Sequence, residues 1–177
     1  MQNTFSLYPF PSTEAPANLK ITGNIARDEN LLTISYTILG DIQQVNIAPA
    51  ETPQRLHELW QNTCFEFFLG AKNSPGYWEF NLSPARHWNI YRFDNYRQGM
   101  EEETAFTTLP FTVKHNSDSF DLALDINLDK IIPVEQPIEV AITTVVKSTN
   151  GDVSYWALSH KGAEPDFHLR ESFVVEL

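Results

Sequence analysis

The sequence predicts an all-β fold, an antiparallel β-sandwich with one short helix. Three observations carry this. Segments of alternating apolar and polar residues recur along most of the chain; short turn compositions separate them; and only one stretch has a helical pattern. A parallel sheet needs crossover helices, and nothing here supplies them.

Residues 1–18, with Pro9, Pro11 and Pro16, read as an extended arm before a single domain over 19–177. Residues 19–26 (LKITGNIA) and 31–39 (LLTISYTIL) alternate as strands about the turn RDEN, and 42–47 (IQQVNI) follows Gly40-Asp41. The pattern then changes. In 52–60 (TPQRLHELW), Thr52 can cap, Pro53 suits the first helical position, and Leu56, Leu59 and Trp60 share a helical face, which predicts the helix. Residues 63–70, 77–83 and 88–94 are three more strands, the first two joined by AKNSPG. Residues 109–115 and 120–126 form a hairpin at NSDS, and 128–132 a single helical turn before Pro133. Residues 138–148 and 153–159 flank TNGD, where Asn150-Gly151 is a strong hairpin signal, and 172–177 is a last strand. About ten short strands at this spacing suit a sandwich.

A chain of 177 residues fits one domain, and 42% hydrophobic content excludes a disordered chain. Twelve Lys and Arg against 23 Asp and Glu give a net charge of −11, which repels phosphate backbones and anionic lipid. No basic cluster relieves it, so neither nucleic acid nor membrane is expected as a partner. Cys64 is the sole cysteine and allows no internal disulfide and no all-cysteine zinc site. The first residues lack a basic region followed by an apolar run, and no stretch approaches the roughly 20 apolar residues of a membrane span. A cytoplasmic globular protein is the expectation.

The stretch YWEFNLSPARHWNIYRFDNYRQGM, from Tyr77 to Met100, packs aromatics among acids and amides. Alternation divides it and the preceding strand into faces. Phe65, Phe67, Leu69, Trp78, Phe80, Leu82, Trp88 and Ile90 fall on one side. Cys64, Glu66, Phe68, Tyr77, Glu79, Asn81, Asn89, Tyr91 and Phe93 fall on the other. The first set suits the sandwich core. The second offers planar donors and acceptors beside aromatic rings, as a hydroxyl-rich ligand requires. It equally suits a solvated outer face with ordinary cross-strand polar pairs.

The segments LWQNTCFEFFL and YWEFNLSPARHWNIYRF resemble the DOMON-like family related to type 9 carbohydrate-binding modules. Trp60 stands before an apolar-Glu-apolar strand carrying Glu66, and Tyr77, Phe80, Asn81 and Pro84 fit the family's following aromatic strand. YRQGM and YWALSHKGAEPDFHLRESF look like the version in stand-alone bacterial, notably cyanobacterial, members. The likeness spans roughly residues 15–177 and implies a jelly-roll-like sandwich. Type 9 modules clamp a sugar between two Trp rings, which makes Trp60, Trp78, Trp88 and Trp156 candidate rings, although alternation sends Trp78 inward. Haem-binding relatives hold iron with a Met and a His or Lys, for which Met100 with His160 or His168 is the nearest set.

The loop SHKGAEPDFH gathers Ser159, His160, Asp166 and His168, either as an acid/base or metal cluster or as a hydrogen-bonded loop plugged by Phe167. No nucleophile elbow, P-loop or dinucleotide fingerprint is present, and His57-Glu58 lacks the second His of a zincin helix. The expectation is a non-catalytic module for a small hydroxyl-rich ligand such as a carbohydrate. Glu66, Glu79 and Asn81 would hydrogen-bond it, Trp88 and Tyr91 stack on it, Arg97 orient it, and His160, Asp166 and His168 close the rim. No resident cofactor is expected. Haem b, or an enzyme or metal site on His160, Asp166 and His168, are the alternatives.

Overall fold

Alternation becomes strand along most of the chain in the computed structural model, which describes residues 2–177. The strands are β1 (Gln2–Pro9), β2 (Lys20–Asp28), β3 (Leu31–Leu39), β4 (Cys64–Ala71), β5 (Tyr77–Leu82), β6 (Trp88–Phe93), β7 (Glu101–Glu102), β8 (Phe111–His115), β9 (Ser119–Asn127), β10 (Ile138–Lys147), β11 (Val153–Ala157) and β12 (Val175–Glu176). They form one curled antiparallel sheet in the order β7-β6-β5-β4-β10-β11-β1-β2-β3-β9-β8, with β12 also on β10. The curl closes the sheet on itself as a β-sandwich.

The predicted N-terminal arm is extended, but it is not separate from the sheet. Gln2 to Leu7 pair with β2, while Tyr8 and Pro9 pair with β11, so β1 is the strand that passes from one half of the sandwich to the other. Proline sits where this strand leaves the ladder, as its missing N–H requires.

The predicted helix over 52–60 does not form. Leu56 N–H bonds Trp88 O and Trp88 N–H bonds Gln54 O, both at 3.0 Å, so the segment runs beside β6 and finds its partners there. Glu58 takes a left-handed conformation (φ 58°), which breaks any helix, and only Leu59–Gln61 makes a 3-10 turn. Residues 42–47 are likewise a 3-10 turn at Ile42–Gln44 rather than a strand. Among the described residues no helix is long and apolar enough to cross a membrane.

The core lies between the two halves. Phe65, Phe67 and Leu69 of β4, Phe80 and Leu82 of β5, and Trp88 and Ile90 of β6 meet Ile21, Ile34, Tyr36 and Phe120 from the opposite half. Phe67 stacks on Phe80 with centroids 4.3 Å apart, and Tyr36 reaches across to donate to Glu66 O at 2.7 Å. Strands β4 and β10 are buried along nearly their whole length on both faces. Something must therefore cover the outer face, and that cover positions the site.

Candidate functional site

The outer face of β4, β5, β6 and β10 carries the acid-amide-aromatic set that alternation assigns to it. Glu66 lies directly across from Asn81 on one side and Thr143 on the other, and Phe68 across from Glu79 and Ala141. Asn81 faces Asn89, and Glu79 faces Tyr91. This face is not wet. Phe68, Tyr77, Tyr91, Phe93, Ala141 and Phe173 form a second, smaller apolar cluster, with Trp60 and Phe167 packed against it.

Two irregular segments make the cover. One is residues 158–173. His168 lodges between Phe68 and Phe93, its ring centroid 5.0 and 5.1 Å from theirs, and its Nδ1 lies 2.9 Å from Tyr77 Oη. Arg170 holds the far end with Nη2 on Glu139 Oε2 (2.7 Å) and on Ala71 O (2.9 Å). Gly70 lets the guanidinium lie directly on the strand, in the space a Cβ would take. The other segment is the turn 94–100. Tyr96 Oη donates to Asp166 Oδ2 at 2.5 Å, and Arg97 Nη2 donates to Asp166 Oδ1 at 2.9 Å, so Asp166 ties the two segments together.

Beneath them remains a cavity of about 360 Å³, open to solvent on one side and lined by Trp60, Glu66, Phe68, Glu79, Phe93, Arg97, Met100, Val145, Tyr155, Pro165, Phe167 and His168. That volume is at the small end of the roughly 300–1,000 Å³ typical of small-molecule sites. Its floor holds two carboxyl groups, Glu66 and Glu79, only 2% and 5% exposed. Glu79 Oε1 accepts from Asn81 Nδ2 at 3.0 Å. Glu66 Oε1 and Asn81 Oδ1 are buried without a hydrogen-bond partner among the described residues.

Burial sets the protonation of this floor. It pushes the Glu66 carboxyl well above the usual range, and the neighbouring Glu79 charge adds to the effect. Burial raises Glu79 to about 7, opposed by the Asn81 hydrogen bond and by Arg97. Burial, aided by the Arg97 charge and opposed by Asp166, lowers His168 to about 4, so the ring is neutral at pH 7. Its Nε2 stands 3.8 Å from Glu79 Oε2, beyond hydrogen-bond reach, and with a neutral ring this contact is not an ion pair. Tyr77 Oη already accepts from Arg97 N–H at 3.1 Å and can give its own proton to His168 Nδ1. Burial raises Asp166, but hydrogen bonds from Tyr96, the His168 N–H and Arg97 outweigh it and the net shift is downward.

Of the residues expected at the site, Glu66, Glu79, Arg97 and His168 line the cavity, with Asn81 behind the two acids and Asp166 in its rim. Three do not belong to it. Trp88 lies in the sandwich core under the Arg55 guanidinium, on the inward side that its alternation with Ile90 requires. Tyr91 is buried below Trp60, its hydroxyl near His57 Nδ1 (3.1 Å) and Asn89 Nδ2 (3.0 Å), so it supports the wall rather than forming it. His160 packs on Phe10, its Nε2 2.8 Å from Tyr8 O, and the structure does not bring it into the lining with His168. The proposed three-residue centre on that loop is therefore not assembled. Trp78, Trp88 and Trp156 all pack in the inner core, which leaves Trp60 as the tryptophan of the cavity. Tyr155 and Val145 were missed. The alternation of β11 would have found Tyr155, which turns away from the buried Trp156 beside it.

The haem reading fails a test of fit. Met100 and His168 both line the cavity, but the His168 ring has Nδ1 against Tyr77 and Nε2 over Glu79, wedged between Phe68 and Phe93. His160 is held at Tyr8. The residues as placed do not suit axial ligation by a Met and a His.

The fold has solved counterparts. A candidate carbohydrate-binding protein from Bacteroides uniformis superposes with a TM-score of 0.66 at 12% identity, over 96% of this chain and 84% of that one. The fold is that of carbohydrate-binding modules. A family 9 module from Caldicellulosiruptor kristjanssonii in complex with glucose gives 0.57 at 13% identity, covering 92% of this chain and 77% of the module. Its complex with cellotriose gives 0.50 at 13%, covering 87% and 72%. At such identities the likeness is one of fold alone. No protein-family model matches the sequence, and no curated protein matches it.

Proposed function

We propose that this chain is a non-catalytic module of the DOMON-like and type 9 kind that binds a small carbohydrate in the covered cavity on its outer face. One observation carries the reading: two carboxyl groups, Glu66 and Glu79, line a cavity walled by aromatic rings. Displacing water from a carboxyl without replacing its hydrogen bonds costs about 1–3 kcal/mol, which an apolar ligand would incur and a hydroxyl would avoid. Trp60, Phe93, Tyr155 and Phe167 supply apolar surface for the C–H faces of a sugar, and Glu66 and Glu79 supply the polar grip. The shared fold with modules in complex with glucose and cellotriose supports the same class of ligand.

The test is isothermal titration against a panel of neutral mono- and disaccharides, repeated on Trp60→Ala and Glu66→Leu. Binding of at least one sugar by the native protein, lost in Glu66→Leu and weakened about tenfold or more in Trp60→Ala, is expected. A panel without any binding overturns the carbohydrate reading.

A further inference from the structure

The two acids on the cavity floor are placed to meet one group together. Glu66 of β4 lies directly across from Asn81 of β5, and Glu79 of β5 directly across from Phe68 of β4, so the acids are diagonal neighbours on one sheet face. Diagonal neighbours stand about 7–8 Å apart at the backbone. Two charge-assisted hydrogen bonds meeting at one nitrogen span about 5–6 Å, so a single ammonium group can reach both side chains.

Neither acid has a cation of its own. Among the described residues no Lys or Arg pairs with Glu66 or Glu79, and His168 Nε2, 3.8 Å from Glu79 Oε2, belongs to a neutral ring. Arg97 also lines the cavity, but its Nη2 donates to Asp166 Oδ1 at 2.9 Å, which meets its charge. Asn81 Nδ2 donates to Glu79 Oε1 at 3.0 Å and fixes that carboxyl without neutralising it. Acids buried this far are ordinarily paired.

The walls favour the same charge. Phe167 stands edge-on to Phe68 and to Tyr155, with centroids 6.4 and 6.0 Å away, and all three rings line the cavity beside Trp60. Aromatic faces attract a cation, more strongly where water is excluded. An anionic group would meet two acids and these faces instead.

We propose that the cavity selects an amino sugar, whose protonated amine sits between Glu66 and Glu79. The proposal rests on the carbohydrate reading above and adds to it a preference for a cationic sugar over a neutral one. One negative charge on the protein is enough. Glu79, raised to about 7, is about half ionised at pH 7, and Glu66, held protonated, still offers its carbonyl oxygen as an acceptor. The proton that Glu79 gives up on binding passes to solvent and costs about twofold in affinity at that pH.

Titration with glucose and glucosamine at pH 7 tests it, since the two differ only by a hydroxyl against an amine that is mostly charged there. A hydrogen bond from a charged donor is worth about tenfold in affinity over one from a hydroxyl. After the proton cost, glucosamine is expected to bind about fivefold tighter than glucose. Glu79→Gln keeps an acceptor for Asn81 but carries no charge, and should bring the ratio of the two affinities to about one or below. Glucosamine binding no tighter than glucose to the native protein, absent binding included, overturns the amine reading. So does a ratio left unchanged in folded Glu79→Gln. In either case the carbohydrate reading stands or falls on the panel of neutral sugars alone.

Discussion

Replacing Glu79 by Gln separates the charge of the cavity floor from its shape. Gln keeps an acceptor for Asn81 Nδ2 and nearly the same volume, but it cannot ionise. Glu79 is raised from 4.5 to about 7, so the folded protein holds its proton more tightly than the unfolded chain. A raised carboxyl gives stability that is fully present below pH 4.5 and is lost as pH climbs towards 7. The span of about 2.5 units at 1.36 kcal/mol per unit gives a loss of about 3 kcal/mol. Glu79→Gln has no such loss. Its stability relative to the native protein should therefore rise between pH 4.5 and 8 by about 3 kcal/mol, or about 6–12 °C in Tm for a chain of this size. Urea denaturation of both proteins across that range reads the difference directly, since every other titrating group cancels to first order. Removing the Glu79 charge also relieves Glu66, which adds in the same direction. A difference that stays flat with pH would refute the claim that Glu79 is a buried, proton-holding acid.

The remaining predictions concern neighbouring groups. His168 is lowered to about 4, so its stability contribution is present above pH 6.5 and lost as pH falls through 4; His168→Gln should remove about 3 kcal/mol of that acid-side loss, read by urea titration at pH 6.5 and pH 4. Glu66→Leu should raise stability at pH 8 by about 1–3 kcal/mol while abolishing sugar binding, the mark of a residue held for its ligand rather than its fold; a loss of stability would make Glu66 structural. Trp60→Ala should weaken sugar binding about tenfold or more in calorimetry and leave the sandwich folded by circular dichroism, since Trp60 packs on the covering cluster and not in the inner core. Gly70→Ala should cost about 0–1 kcal/mol in thermal unfolding, because the new methyl makes the flexible Arg170 guanidinium shift against Glu139 and Ala71.

Alternation carried the sheet and the division of its central strands into faces, because a half-buried strand has no other way to satisfy both sides. Glu66, Glu79 and Asn81 were legible for that reason, and so was the inward course of Trp78. The same rule sets Trp88 beside Ile90 in the core, and the expectation that Trp88 stacks on a ligand went against it; the structure places the ring inward. What periodicity could not show is the cover. Residues 52–60 carry good helical spacing, yet bonds between Gln54, Leu56 and the edge of β6 outcompete the helix, and such pairing is a tertiary event. The wedge of His168 between Phe68 and Phe93 is equally nonlocal, as is the tie from Asp166 to Tyr96 and Arg97. Sequence therefore showed that the face was polar and aromatic, but not that it was roofed, and the roof is what turns an outer sheet face into a cavity. The separation of His160 from His168 has the same origin, since β1 and Phe10 capture the first while the sheet captures the second.

The most direct test of the account is a crystal structure of the protein with the sugar that binds it most tightly. The account predicts a sugar ring within the cavity, packed against Trp60, with a hydroxyl in hydrogen-bond distance of the Glu66 or Glu79 carboxyl. A sugar seated elsewhere on the molecule, with neither carboxyl contacted at saturating ligand, would contradict it.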